Sequence, residues 1–212
     1  MQLKGAIFDL DGTLLDSMKI WDTAGEEYLL SLGIQPRQNL AETIKDMSLL
    51  QSAEYFQREY KVDKSSKEII DGINSIIEQF YFEKAELKDG VKDFLEYLWK
   101  KDVKMCIATA TDRYLVEKAL ERCEVREYFF EILTCTECGC GKDKPAIYIK
   151  ALEQLKTEKE NTFVFEDALY AVKTAKEAGF IVAGVFDESE KDQMEVKVLA
   201  DYYVDNFMGF VV

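Results

Sequence analysis

Short apolar runs recur along the chain at intervals that fit buried strands alternating with amphipathic helices. The first, residues 3–8 (LKGAIF), ends abruptly in Asp9-Leu10-Asp11-Gly12-Thr13, as a buried strand does on entering a loop. Comparable runs lie at 104–109, 131–134, 162–165 and 181–186, with a last one at 202–204. Between them apolar residues return every three to four positions: Val91, Phe94, Leu95, Leu98 and Trp99; Leu115, Val116, Ala119 and Leu120; Ile147, Tyr148, Ala151, Leu152 and Leu155; Ala168, Val172 and Ala175. From residue 90 onward this is a βαβ series. It predicts an α/β fold with a Rossmann-like, doubly wound, mostly parallel sheet and helices on both faces.

Residues 16–85 break that rhythm. Ile20, Ala24 and Tyr28 repeat every four residues; Leu49, Ala53, Phe56 and Tyr60 follow a 4-3-4 spacing; Ile69, Ile70, Ile73, Ile76, Ile77 and Phe80 follow a 3-4 pattern, and no convincing strand intervenes. The expected organisation is a catalytic core of residues 1–15 and 86–212 with an all-helical cap, 16–85, inserted after the first strand. Ligands of open α/β sheets bind beyond the carboxyl ends of the strands, so the insert is placed to act as a lid, with hinges near 14–17 and 82–89.

Composition narrows the chemistry. Of 212 residues 48% are hydrophobic, enough for a sizeable core. Twenty-seven Lys and Arg against 41 Asp and Glu give a formal charge of −14, which disfavours a nucleic acid or an anionic membrane as partner. Histidine is absent, so Ser-His-Asp and Cys-His catalysis and His-ligated zinc are excluded. No apolar run approaches a membrane span and the N-terminus has no signal-peptide pattern, so the expected location is cytoplasmic. Five cysteines in such a chain are expected as free thiols.

Asp9 and Asp11 stand two apart at a strand end, where alternate side chains point the same way. Two converging carboxylates call for a divalent metal, an acid-base role, or both. A lone Asp-x-Asp is more often a solvated turn, but the buried strand before it, the Gly12 turn and the Thr13 hydroxyl favour a site at the mouth of a sheet.

FDLDGT resembles the first motif of the haloacid-dehalogenase-like (HAD) superfamily, in its subfamily I branch of β-phosphoglucomutases and phosphatases with a helical cap after motif one. The resemblance implies that Asp9 is a nucleophile attacking phosphorus. Asp11 would be the acid-base residue and would give its backbone carbonyl to Mg²⁺. CIATATD is similar to the second motif, with the Thr109 hydroxyl and the Ala110 amide holding phosphoryl oxygens; Thr111 is a second candidate, or a helix N-cap ahead of Arg113. Gly141-Lys142-Asp143-Lys144-Pro145 resembles the Gly-Lys-Pro-x-Pro run, with Lys142 in register and Lys144 a competitor before its proline. FVFED resembles the fourth motif: Asp167 would join Asp9 and Asp11 as a Mg²⁺ ligand, and Glu166 would support the metal or its waters.

Together these residues make a phosphoryl-transfer kit, because an anionic nucleophile approaches a phosphate only when a divalent cation and an ammonium neutralise the charge. The Cys135-Thr136-Glu137-Cys138-Gly139-Cys140 segment lacks the four ligands of a closed zinc site, and Gly139-Cys140-Gly141-Lys142 lacks the P-loop spacing. Arg113 is a substrate contact or an exposed helix-start arginine. Trp21 and Tyr28 are expected in the cap interior, with Trp21 otherwise facing the cleft.

The expected function is a Mg²⁺-dependent phosphatase acting on a small phosphorylated metabolite, such as a sugar phosphate, through a phosphoaspartate on Asp9. A phosphosugar mutase shares every motif, but that branch has a His and a Ser-Arg pair where Trp21 and Ser48-Leu49 stand here. Dehalogenation is disfavoured by the presence of Asp11. A non-catalytic binding module of the same fold is the reading from a different class.

Overall fold

The computed structural model of the chain describes residues 3–44 and 47–211. The chain runs β1 (Gly5–Phe8), β2 (Leu15–Asp16), then four helices, α1 (Met18–Ser31), α2 (Leu40–Ile44), α3 (Leu49–Tyr60) and α4 (Ser66–Glu83). It continues through β3 (Glu86–Leu87), α5 (Val91–Lys100), β4 (Lys104–Thr109), α6 (Arg113–Arg122), β5 (Phe129–Thr134), α7 (Cys135–Cys138) and α8 (Ala146–Leu155). Last come β6 (Thr162–Glu166), α9 (Leu169–Glu177), β7 (Ile181–Val185), α10 (Gln193–Leu199) and β8 (Tyr202–Val204). Two compact units result, Met1–Ser17 with Ala85–Val212, and Met18–Lys84.

The first unit holds a six-stranded sheet in the order β5-β4-β1-β6-β7-β8, parallel throughout. β1 lies at its centre, Gly5 pairing with Lys104 on one side and Thr162 on the other. The strand order reverses there, which makes the carboxyl end of β1 a topological switch point. Alternate residues of β1 serve different faces. Ile7 packs with Val164, Val182, Ile147 and Val172 in an aliphatic layer under α8 and α9. Phe8 faces the other way, stacked on Phe165 with centroids 4.4 Å apart and edge-on to Phe94 and Phe129.

The predicted strand runs all lie in this sheet, although β1 begins at Gly5 and β5 begins at Phe129, ahead of the expected Glu131. A second, two-stranded sheet pairs Leu15 with Leu87 and Asp16 with Glu86, antiparallel. Two-residue strands carry no periodicity, so the sequence offered only hinges here. Trp99 is 55% exposed: Val91, Phe94, Leu95 and Leu98 complete the buried face of α5, and the ring sits at the rim, edge-on to Tyr128.

In the second unit, Ile69, Ile73, Ile77 and Tyr81 form the buried stripe of α4, while Ile70, Ile76 and Phe80 flank it half-buried. Ile20, Ala24 and Tyr28 of α1 and Ala53 and Phe56 of α3 complete the interior, with Tyr28 stacked on Phe56. Leu49 is exposed, because the first residue of α3 lies beyond that interior. Helices α3 and α4 each open on a capping box, Ser48 with Gln51 and Ser65 with Glu68. No helix among the described residues is long and apolar enough to cross a membrane.

Candidate active site

Asp9 follows β1 directly, and its N–H donates to Phe165 O at 3.0 Å, so the ladder continues one residue beyond the strand and fixes where the carboxylate emerges. The next residues turn tightly: Leu14 and Leu15 both donate to Leu10 O at 2.8 Å, and Gly12 takes a positive φ of 79° that a side chain would strain. The turn delivers the buried Thr13 hydroxyl to Asp167 Oδ1 at 2.9 Å. Lys88 holds it from behind, its ammonium donating to Gly12 O (2.6 Å), to Asp187 Oδ2 (2.9 Å) and to Phe186 O.

Lys142 arrives from the loop before α8 and is 4% exposed. Its ammonium donates to Asp9 Oδ1 and, at 2.6 Å, to Glu166 Oε1. The Tyr148 hydroxyl donates to the same Glu166 oxygen at 2.7 Å, and the buried Oε2 has no partner among the described residues. Lys144 is exposed, so Lys142 is the lysine that meets the acidic cluster.

Oxygens of Asp9, Glu166 and Asp167 all lie within 4.8 Å of one another. Three carboxylates and one ammonium leave two formal negative charges uncompensated in a buried site. The groups respond accordingly. Burial, opposed by Lys142 and aided by Glu166, pushes Asp9 up to about 6. Burial and the charges of Asp9 and Glu166 hold Asp167 well above the usual carboxylate range. Burial pulls the Lys142 ammonium down, but Asp9 and Glu166 outweigh it and hold it above the ordinary lysine value. An oxygen-only donor set, a charge deficit of two and an orphaned carboxylate oxygen fit a hard divalent cation such as Mg²⁺.

The Asp11 carboxylate lies outside that group of three. It accepts from Ser17 Oγ at 2.5 Å and from Thr111 Oγ1 at 2.6 Å. Thr111 therefore does not cap α6, whose N-cap residue is Asp112; its hydroxyl is drawn to Asp11 instead. Thr109 is buried at the end of β4, and its Oγ1 accepts from Thr111 N at 3.0 Å. Ala110 follows it, exposed.

Arg113 is engaged with Glu137 at 2.6 and 2.8 Å and with Ile132 O. Trp21 is 46% exposed in the helical unit, edge-on to Tyr81, while Tyr28 is buried. The five cysteines are unpaired, and the acidic group is the only three-ligand cluster among the described residues. Burial raises the Cys135 thiol, with Lys142 opposing and Cys140 adding to it.

Tyr148, Lys88 and Ser17 carried no site assignment from the sequence. Tyr148 looked like one more residue of an apolar stripe, and only its polar tip on a buried face hinted at a partner. Lys88, in the predicted hinge, had no signal at all, since its three acceptors come from distant loops.

A central strand ending in an acidic cluster, with a buried lysine supplied by a later loop, defines an α/β protein with a charged, buried site at the switch point of a parallel sheet. Residues 6–185 match the family described as haloacid dehalogenase-like hydrolase, and the chain belongs to that family. It is an enzyme of the family's phosphoric monoester hydrolase type. Among curated proteins it is 26% identical over 190 residues to a phosphorylated carbohydrates phosphatase of Thermotoga maritima, covering 84% of this chain and 82% of that one. It is 24% identical over 179 residues to hexitol phosphatase B of Escherichia coli, covering 84% and 81%. The fold is shared with the crystal structure of CbbY from Rhodobacter sphaeroides in complex with phosphate, at a TM-score of 0.75 and 23% identity, covering 97% of this chain and 95% of that one.

Proposed function

We propose that the chain hydrolyses a small phosphomonoester, a sugar phosphate or similar metabolite, with Mg²⁺ as cofactor and a phosphoaspartate on Asp9 as intermediate. The observation that carries this reading is the Lys142 ammonium, buried and shared between Asp9 and Glu166. The names of the phosphatases to which the chain is similar support the substrate class. Residues 1–15 and 86–212 would be the catalytic core and 16–85 the cap. Five unpaired thiols fit a reducing, cytoplasmic setting.

Asp9 attacks phosphorus in line with the leaving oxygen, and Asp11 gives that oxygen a proton. Asp11 then takes a proton from water, which attacks the phosphorus of the acyl phosphate and releases orthophosphate from Asp9. Lys142 offsets charge on the transferring group, and the Thr109 hydroxyl and Ala110 amide hold its oxygens. Asp9, Asp167 and the Asp11 carbonyl would hold Mg²⁺, with Glu166 supporting it; the cation supplies neutralisation of nucleophile and phosphate together. Ser17 and Thr111 position the Asp11 carboxylate.

The test is a panel of sugar phosphates, hexitol phosphates and nucleotides assayed for orthophosphate, with Mg²⁺ and after chelation, alongside Asp9→Asn. Mg²⁺-dependent release that Asp9→Asn abolishes is expected. Isomerisation of a sugar phosphate without release would favour a mutase, and no turnover by a folded sample would favour a binding module.

A further inference from the structure

The cysteine-rich segment before Lys142 takes no part in the chemistry above, yet its local geometry is specific. Helix α7 ends with Gly139 at a φ of 67°; the Gly139 N–H donates to Thr136 O at 3.3 Å and the Cys140 N–H to Cys135 O at 3.2 Å. That pair of bonds is a Schellman turn, a motif frequently accompanied by an apolar contact between the two side chains at the positions Cys135 and Cys140 occupy. Here both carry thiols, half-buried and unpaired. Cys138 lies inside the turn, its carbonyl accepting from Lys150. The three sulfurs do not join a three-ligand cluster of the kind a structural metal site needs.

We infer that Cys135 and Cys140 are a redox-responsive dithiol whose oxidation to a disulfide moves Lys142. The Cys140 thiolate attacks a peroxide oxygen, giving a sulfenic acid and water; Cys135 then attacks the sulfenic sulfur, forming the S–S bond and releasing a second water. Two thiols lose two electrons and two protons, and hydrogen peroxide is reduced to two waters. A small dithiol reverses the reaction by exchange. Bonding distance is shorter than side-chain contact, so closing the bond tightens the turn. The strand of chain that yields is Cys140-Gly141-Lys142, whose last residue bonds Asp9 and Glu166.

The effect on turnover rests on the phosphatase reading; the disulfide itself does not. The full chain is treated with hydrogen peroxide, alkylated, and cleaved after Glu137, which separates Cys135 from Cys138 and Cys140. The expected product is a linked pair of peptides in the wild type and Cys138→Ser, absent from Cys135→Ser and Cys140→Ser. Phosphate release should fall by about tenfold or more, since displacement of a charged group on this scale costs that much, and return with dithiothreitol. Acylation of Lys142 by an amine reagent, read from peptide mass, should rise on oxidation whether or not a substrate is known. Fully alkylated thiols, a link lost in Cys138→Ser, or a link that leaves Lys142 acylation unchanged would each overturn the inference.

Discussion

Among the described residues Lys142 is the one cation bonded within a cluster of three buried carboxylates, and the rest of the site depends on that imbalance. Its removal leaves three buried carboxyl groups facing one another with no ammonium to hold them ionised, whereas loss of the exposed Lys144 removes only a solvated charge. Lys142→Ala should therefore lower phosphate release by about a hundredfold or more, and Lys144→Ala by no more than about twofold. Steady-state assays of the two variants side by side decide it; equal losses would reassign the lysine. The same imbalance predicts that saturating Mg²⁺ raises the melting temperature of the wild type by mass action, with the shift reduced or lost in Asp167→Asn. Calorimetry with and without the ion reads this without any substrate. Lys142 could be placed from the Gly141-Lys142 register before Pro145, but the Asp11 partners could not: Thr111 lies 100 residues away and offers its hydroxyl only once β4 has paired with β1.

Helix α4 shows how an element can override residue propensity. Gly72 sits within its 18 residues, and alanine there would gain about 1 kcal/mol of helix propensity. A Cβ at Gly72, however, would lie 2.3 and 2.9 Å from Tyr28 ring carbons, and that ring is buried and stacked on Phe56. Overpacking of this kind costs about 1–3 kcal/mol, so Gly72→Ala should be destabilising on balance, as a lowered denaturant midpoint would show. The helices and strands were legible because each long element repeats its apolar face many times. Single residues at the ends of those stripes were not: Leu49 and Trp99 keep the period yet fall beyond the buried face. The β2–β3 pairing was beyond reach for the opposite reason, being too short to repeat anything.

At the scale of the molecule, a charge of −14 opposes compaction, and acid relieves part of that repulsion. Asp201 works in the other direction. Although burial opposes it, the Lys176 ammonium at 2.7 Å and the Val182 N–H at 2.8 Å hold its carboxyl below the ordinary value of 3.8, tying the approach to β8 onto α9 and β7. A lowered carboxyl stabilises the fold fully above its unfolded value, and the contribution fades as pH falls below 3.8 toward the folded value. Asp201→Asn should lose stability at neutral pH and show a shallower decline than wild type in that acid range, which denaturation series at stepped pH would reveal. An identical slope would assign the acid response to other carboxyls.

The pairing of Leu15 with Leu87 and Asp16 with Glu86 brings the outgoing and returning segments of the chain side by side. A module whose two attachment points are neighbours can be lengthened, shortened or exchanged for another without redrawing the scaffold that bears it. The inserted helices and the sheet that carries Asp9 and Asp167 can therefore change in length and sequence independently of one another.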